Sequence, residues 1–290
     1  MRKRILSILN SDGRALLPLD EVRSIVKPNA ESYVGMKAVA AAMIVGSEGR
    51  YRDFDRNFLP RHSKLRKRWQ RVDEAYLKQI SLPPIKLYEL GGLYFVRDGN
   101  HRVSVALHNG VEFIDAEIIK LSSDVQLAPG STKSDFKQAV IAYERRRFYE
   151  ITRLDKLRPD ADLVFSETGR YDDLLEHIGC HQYHLDLIEK TEVLLADTLV
   201  SWYDNIYKPI ADAIKRGNLL MRFPGRTAAD LYAWILRHWD ELRSRHGQNY
   251  SVERVVQDFS AIHGKTSAKN LPAVSFNLLR SFILNVINRS

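Results

Sequence analysis

The segment Leu82–Ile118, LPPIKLYELGGLYFVRDGNHRVSVALHNGVEFIDAEI, constrains the fold more than any other part of the 290-residue chain. Ile85–Leu90 and Leu93–Val96 are apolar and aromatic runs flanking Gly91-Gly92, the pattern of a β-hairpin. Asp98-Gly99 is a tight-turn dipeptide, and Val103–His108 after it has helical character, closed by Asn109-Gly110 as a C-cap. Phe113–Leu121 then reads as another strand. Strands interleaved with a helix at these spacings predict an α/β or α+β unit. Pro83-Pro84 ends whatever helix precedes it, because proline cannot continue one.

The run YFVRDGNHRVSVALH (Tyr94–His108) also has the make-up of an anion site. A strand leads into Asp98-Gly99 and a helix starts at once, so its first free N–H groups and positive dipole end would face a bound phosphate. Gly99 permits a positive φ and close ligand approach. His101 and Arg102 add donors, arginine being able to grip a phosphate bidentately, and Asn100 lies between them and the turn. Asp98 is expected either to cap the helix or to hold His101 in one tautomer.

From about Lys133 the pattern changes to helix after helix: Phe136–Leu154, Tyr171–Glu189, Glu192–Arg216, Thr227–His246, Val252–Ile262 and Val274–Ile287. Thr227 followed by Asp230 at the third helical position forms a carboxylate variant of the capping box. The expected organisation is an α/β domain over residues 1–125, a helical connection over 126–165 and an all-helical domain over 166–290. In the first domain, Val39–Val45 reads as one buried strand or short helix stopped by Gly46-Ser47, and Pro60–Ile80 as a helix.

Charge adds a second constraint. The net charge is +8. Between Arg50 and Arg71 nine basic residues meet only Asp53 and Asp55, a local +7. Arg61, Lys64, Arg66, Lys67, Arg68 and Arg71 form the densest part, suited to nucleic acid or to phosphorylated ligands. A single cysteine, Cys180, excludes an intrachain disulfide and fits a reducing compartment. MRKRILSILNSDGR offers too short an apolar run for a secretory signal, and no run approaches the length of a membrane span. A cytoplasmic protein with no membrane partner is expected.

Three shorter constellations carry alternatives. Ser47, Glu48 and Arg50, followed by Asp53 and Asp55, resemble a nucleotidyltransferase signature at too short a spacing. They are read instead as a loop over the same pocket as His101. Ser47 and Arg50 would then be phosphate contacts, and Glu48 or Asp53 an acid/base or magnesium ligand. The alternative is a surface turn with internally paired charges. His177, His181 and His184 share one helical face, where hydrogen-bonded interhelical histidines are commoner than a metal site. Phe223–Thr227 (FPGRT) reads as a capped helix entry.

Leu82–Ile118 resembles the core of the ParB/sulfiredoxin-like fold, in which a hairpin strand leads to a glycine-led basic turn, a short helix and a further strand. The resemblance implies that Gly99, His101 and Arg102 hold nucleotide phosphates, with Asp98 and Asn100 matching the Asp-Gly-x-His-Arg subset. Asn100 replaces the sulfiredoxin cysteine, so sulfiredoxin chemistry is not implied. No helix-turn-helix pattern follows, so partitioning is not implied either. A family of bacterial ParB-like proteins, some labelled transcriptional regulators, shares three motifs with this chain. They lie at Ile44–Asp55, Asp98–Ala106 and Phe223–Ile235. The resemblance implies a nucleotide ligand (CTP, ATP or ADP), with Mg2+ as a companion ion. DNA and a second copy of the chain are candidate partners. A phosphotransferase or NTPase of the free-serine-kinase type is the alternative, and a protein-binding scaffold with an inactive pocket the further one.

Overall fold

The computed structural model describes residues 16–246 and 250–263. Two compact units divide between Val140 and Ile141. The first is built on a six-stranded mixed sheet of order β1-β3-β5-β4-β6-β2. In chain order its elements are β1 (Leu17–Pro18), α1 (Leu19–Val26), β2 (Ala30–Ala40), β3 (Ile44–Ser47), α2 (Arg66–Leu77), β4 (Ile85–Leu90), β5 (Leu93–Asp98), α3 (Asn100–His108) and β6 (Phe113–Ser122).

The expected hairpin is β4–β5, antiparallel with Leu90 opposite Leu93 across Gly91-Gly92, both of which take positive φ. β4 also pairs parallel with β6, and β2 antiparallel with β6. Its core on the α3 side includes Ile44, Phe54, Leu87, Val96, Val103 and Ile118. Alternation along β4 turns Tyr88 to the other face from Leu87.

β1 and β3 run parallel, as do β3 and β5, with Gly46 opposite both Leu17 and Phe95 and Ser47 opposite Val96. The carboxyl ends of these strands therefore lie side by side, where α/β sheets bind ligands. Gly46 is required there: a Cβ would stand 2.5 Å from the Phe95 ring and against the Leu17 carbonyl. Val39–Val45 is accordingly not one element. β2 ends at Ala40, a 3-10 turn covers Ala41–Met43, and β3 carries on through Gly46-Ser47 instead of stopping before it. The local apolar run hid this, because the pairing partner that makes Gly46-Ser47 extended lies about fifty residues away. The helix expected from Pro60 begins only at Arg66, after a 3-10 turn at Ser63–Leu65, and none of its residues is fully buried.

Every described element from Lys133 onward is a helix: α4 (Lys133–Thr152), α5 (Leu154–Leu157), α6 (Arg170–Glu189), α7 (Leu195–Trp202), α8 (Lys208–Arg216), α9 (Ala228–His246) and α10 (Val252–His263). The helix expected over Glu192–Arg216 runs from Leu195 to Arg216 but is not α-helical throughout. α7 passes through a π-helical stretch, Tyr203–Tyr207, into α8. That extra residue per turn keeps Tyr203, Ile206 and Tyr207 all buried beside Trp202. Val274–Ile287 lies outside the described residues. Arg145, Arg146 and Arg147 face Asp162, Glu150 and Asp172 respectively, as a solvated helix face does.

The second unit buries a polar thread. Trp202 Nε1 donates to Tyr232 Oη at 3.1 Å, and that oxygen lies 3.0 Å from His177 Nδ1. His181 Nε2 bonds Ser201 Oγ at 3.1 Å. Burial lowers the pKa of His177 from 6.5 to about 3 and that of His181 to about 4, with His181 and His184 respectively adding to the effect. No group of three His, Cys, Asp or Glu among the described residues is arranged to hold a metal ion. Thr227 and Asp230 complete their box, Thr227 N to Asp230 Oδ2 at 2.9 Å and Asp230 N to Thr227 Oγ1 at 3.1 Å.

Two outcomes follow. Both buried histidines must charge in acid at an ordinary pKa once unfolded, so their contribution to stability is present above pH 6.5 and is lost as pH falls towards about 3–4. Thermal unfolding recorded from pH 7 to pH 4 should show that loss, and His177→Gln should flatten it. Gly46→Ala should cost about 1–3 kcal/mol in urea unfolding, because the packed Phe95 ring and Leu17 carbonyl must move.

Candidate functional site

The turn after β5 is the centre of the site. Gly99 is the N-cap of α3 at φ 106°, where a Cβ would also meet Ile85 Cγ2 at 2.6 Å. Val103 N closes the first helical bond to Gly99 O at 3.0 Å. The N–H groups of Asn100, His101 and Arg102 precede it and have no intrahelical acceptor.

The five residues Asp98–Arg102 divide by role. Arg102 turns to the frame: its guanidinium donates to the carbonyls of Pro83 and Pro84 and to Asp98 Oδ2, the last at 2.6 Å. Asp98 is therefore neither a cap nor a tautomer partner for His101, and the Arg102 guanidinium clasps the diproline and Asp98. Asn100 and His101 instead turn inward, 5% and 4% exposed, and Asn100 Oδ1 and both His101 ring nitrogens have no hydrogen-bond partner. An unsatisfied buried polar atom costs about 1–3 kcal/mol, so several together mark a place prepared for a polar ligand.

The loop after β3 reaches the same place. Glu48 N donates to Val96 O at 2.9 Å, continuing the β3–β5 pairing past Ser47. Phe54 then lies fully buried, its ring edge-on to His101 with centroids 5.2 Å apart and the Arg50 guanidinium 6.0 Å from its centroid. Arg50 is held by Asp53, Nε to Oδ2 at 2.8 Å and a second nitrogen at 2.6 Å. Arg50 and Asp53 are thus paired within the loop, and the Arg50 charge is felt at the His101 ring. Burial, joined by the charges of Arg50 and Arg68 and opposed by that of Asp53, lowers the His101 pKa from 6.5 to about 4. The imidazole is neutral at pH 7.

Other expected site residues fall elsewhere. Ser47 is fully buried and its hydroxyl donates to Val96 O at 3.2 Å, so it serves the strand pairing and offers no donor to a phosphate. Asp53 sits by Arg50, whereas the Glu48 carboxylate acts on Tyr88, whose phenol is raised first by burial and then by Glu48. Asp55 accepts from the N–H groups of Asn57 and Leu59, a local turn. Arg61, Lys64, Arg66, Lys67, Arg68 and Arg71 are all exposed. Arg226 bonds Ser166 and Glu167 and lies over the Trp234 ring, as expected of a helix entry. Phe54 was not anticipated, although its place between Asp53 and Asp55 was the available signal.

No family model and no curated relative matches the chain. Among solved structures, a Pnob8-like ParB-N domain in its C2221 form aligns over 90% of this chain and 96% of its own, at 11% identity and a TM-score of 0.22. Likeness at that level carries no argument about this chain's fold or activity. No helix among the described residues is long and apolar enough to cross a membrane.

An anion beside His101 favours its protonated form and raises its pKa above about 4. Affinity for sulfate, whose own charge is constant in this range, should therefore rise as pH falls from 7 towards 4. Titrations at fixed ionic strength, followed through the histidine ring 15N signals, measure this, and His101→Gln should abolish the pH dependence.

Proposed function

We propose that this protein is a nucleotide-binding regulator of the ParB-like kind, in which the turn Asp98–Arg102 takes the ligand's phosphates and the basic segment meets DNA. On this reading residues 1–125 form a ParB/sulfiredoxin-like domain and an all-helical domain follows it. The observation that carries the reading is the pair of inward-turned, unpartnered side chains, Asn100 and His101, at the open N-terminus of α3. An oxygen-rich anion accepts from the one N–H of the neutral His101 ring, from the Asn100 amide nitrogen and from the free backbone N–H groups, whereas Asn100 Oδ1 is itself an acceptor and takes a donor group of the ligand; the Arg50–Asp53 pair offers a guanidinium already held in position. Asn100, His101, the backbone N–H groups after Gly99, and Arg50 are the phosphate contacts, with Asp98 and Arg102 keeping the turn in shape. CTP, ATP and ADP, with or without Mg2+, are the ligands to try.

Binding is favoured over turnover by one feature. Of the two carboxylates offered for catalysis, Asp53 is already committed to Arg50, which takes it out of a shared pair with Glu48. An acid/base pair or shared magnesium site needs them together.

Calorimetric titration of the full chain with each nucleotide tests the first half. His101→Ala should weaken binding by about tenfold or more, equivalent to about 1.4 kcal/mol. DNA binding should fall linearly in log K against log salt as phosphate contacts release counterions. Salt-insensitive or absent DNA binding overturns the nucleic-acid half, and hydrolysis lost in Glu48→Ala would move the reading to an NTPase.

A further inference from the structure

α2 carries Arg66, Lys67, Arg68 and Arg71 of the exposed basic segment, and one of them stands in a different relation to α3 from the rest. Trp69 Nε1 donates to Ser104 Oγ at 2.8 Å, and the Trp69 ring lies edge-on to His108 at 5.2 Å. Further along both helices, Asn109 Nδ2 donates to Asp73 Oδ1 at 3.0 Å. Contacts that advance together along the two helices mean that α2 and α3 run in the same direction. Their N-terminal ends therefore lie together, each contributing a positive dipole end. His101 is one helical turn before Ser104, and Arg68 immediately precedes Trp69. The Arg68 charge is felt at the His101 ring, as that of Arg50 is.

The charges around His101 do not balance. Arg50 is matched by Asp53, while among the described residues Arg68 makes no ion pair and the imidazole is neutral. The surplus is a full positive charge from Arg68 together with roughly half a charge from each helix end. A singly charged carboxylate leaves that surplus partly unmatched, whereas a group of two negative charges meets it.

We propose that Arg68 is a binding residue of the α3 anion site, separate in role from its neighbours on α2, and that the site takes a group with at least two negative charges, such as a phosphate monoester or diphosphate. This rests on the reading of Asn100 and His101 as phosphate contacts. It implies that a phosphorylated ligand and a nucleic acid compete for the Arg68 end of α2.

Titration of the full chain with inorganic pyrophosphate tests it. Arg68→Ala and Arg68→Gln should each weaken binding about tenfold and Arg68→Lys less, whereas Arg66→Ala and Lys67→Ala should stay within about twofold. Pyrophosphate should also bind the wild type more tightly than acetate, with the difference narrowed by Arg68→Gln. Equal losses in all the α2 variants overturn the proposal, because they would reflect general surface charge. Pyrophosphate binding that depends on His101 but not on Arg68 overturns it too, leaving the reading of the turn intact. Absence of any anion binding by the wild type sinks both.

Discussion

The parallel pairing of β3 with β5 is the constraint on which the rest of the first unit depends. It lets two chain segments about fifty residues apart leave the sheet side by side at the carboxyl ends of their strands. One becomes the loop carrying Arg50, Asp53 and Phe54, and the other becomes α3. The pairing is possible because Gly46 has no Cβ where the Phe95 ring and the Leu17 carbonyl close in. It is extended by Ser47 Oγ and Glu48 N, both bonded to Val96 O. A side chain read as a ligand contact is thus consumed in fixing the register that makes the site.

The same economy governs the turn after β5. Asp98, Arg102, Pro83 and Pro84 form a closed polar set that holds the backbone at Gly99, while Asn100 and His101 stay buried and unsatisfied. These two groups of residues have opposite energetics. The first stabilises the folded chain through charge-assisted hydrogen bonds. The second is a local cost that a polar ligand would relieve, which is how folding energy is converted into binding energy. Phe54 connects them to the loop: its ring touches His101 at one edge and lies under Arg50.

The second unit pairs part of its buried polarity. Trp202, Tyr232 and His177 bond one another within an aromatic cluster, and His181 bonds Ser201. Of the histidines spaced along one helical face, His177 and His181 meet hydroxyl groups from neighbouring helices and stay neutral. Neutral imidazoles tolerate such a core, where charged ones would lose hydration without a counter-charge.

What was legible in the sequence is what local geometry decides. The hairpin at Gly91-Gly92, the turn at Asp98-Gly99, the start of α3 and the Thr227–Asp230 cap each depend on φ preferences and hydrogen bonds spanning a few residues. Their residue types state those needs directly. The candidate site was legible in the same degree: Gly99, Asn100 and His101 were marked by the turn that carries them. The direction of each charged side chain was not. Arg102 against the diproline, Ser47 against Val96 and the Arg68 charge felt at His101 all follow from long-range pairings, whereas Asp53 against Arg50 is a local pair three residues apart whose choice of partner the residue types left open. A sequence lists the donors and acceptors available, but only the tertiary fold decides which of them are already used, because that choice depends on distances between residues far apart in the chain.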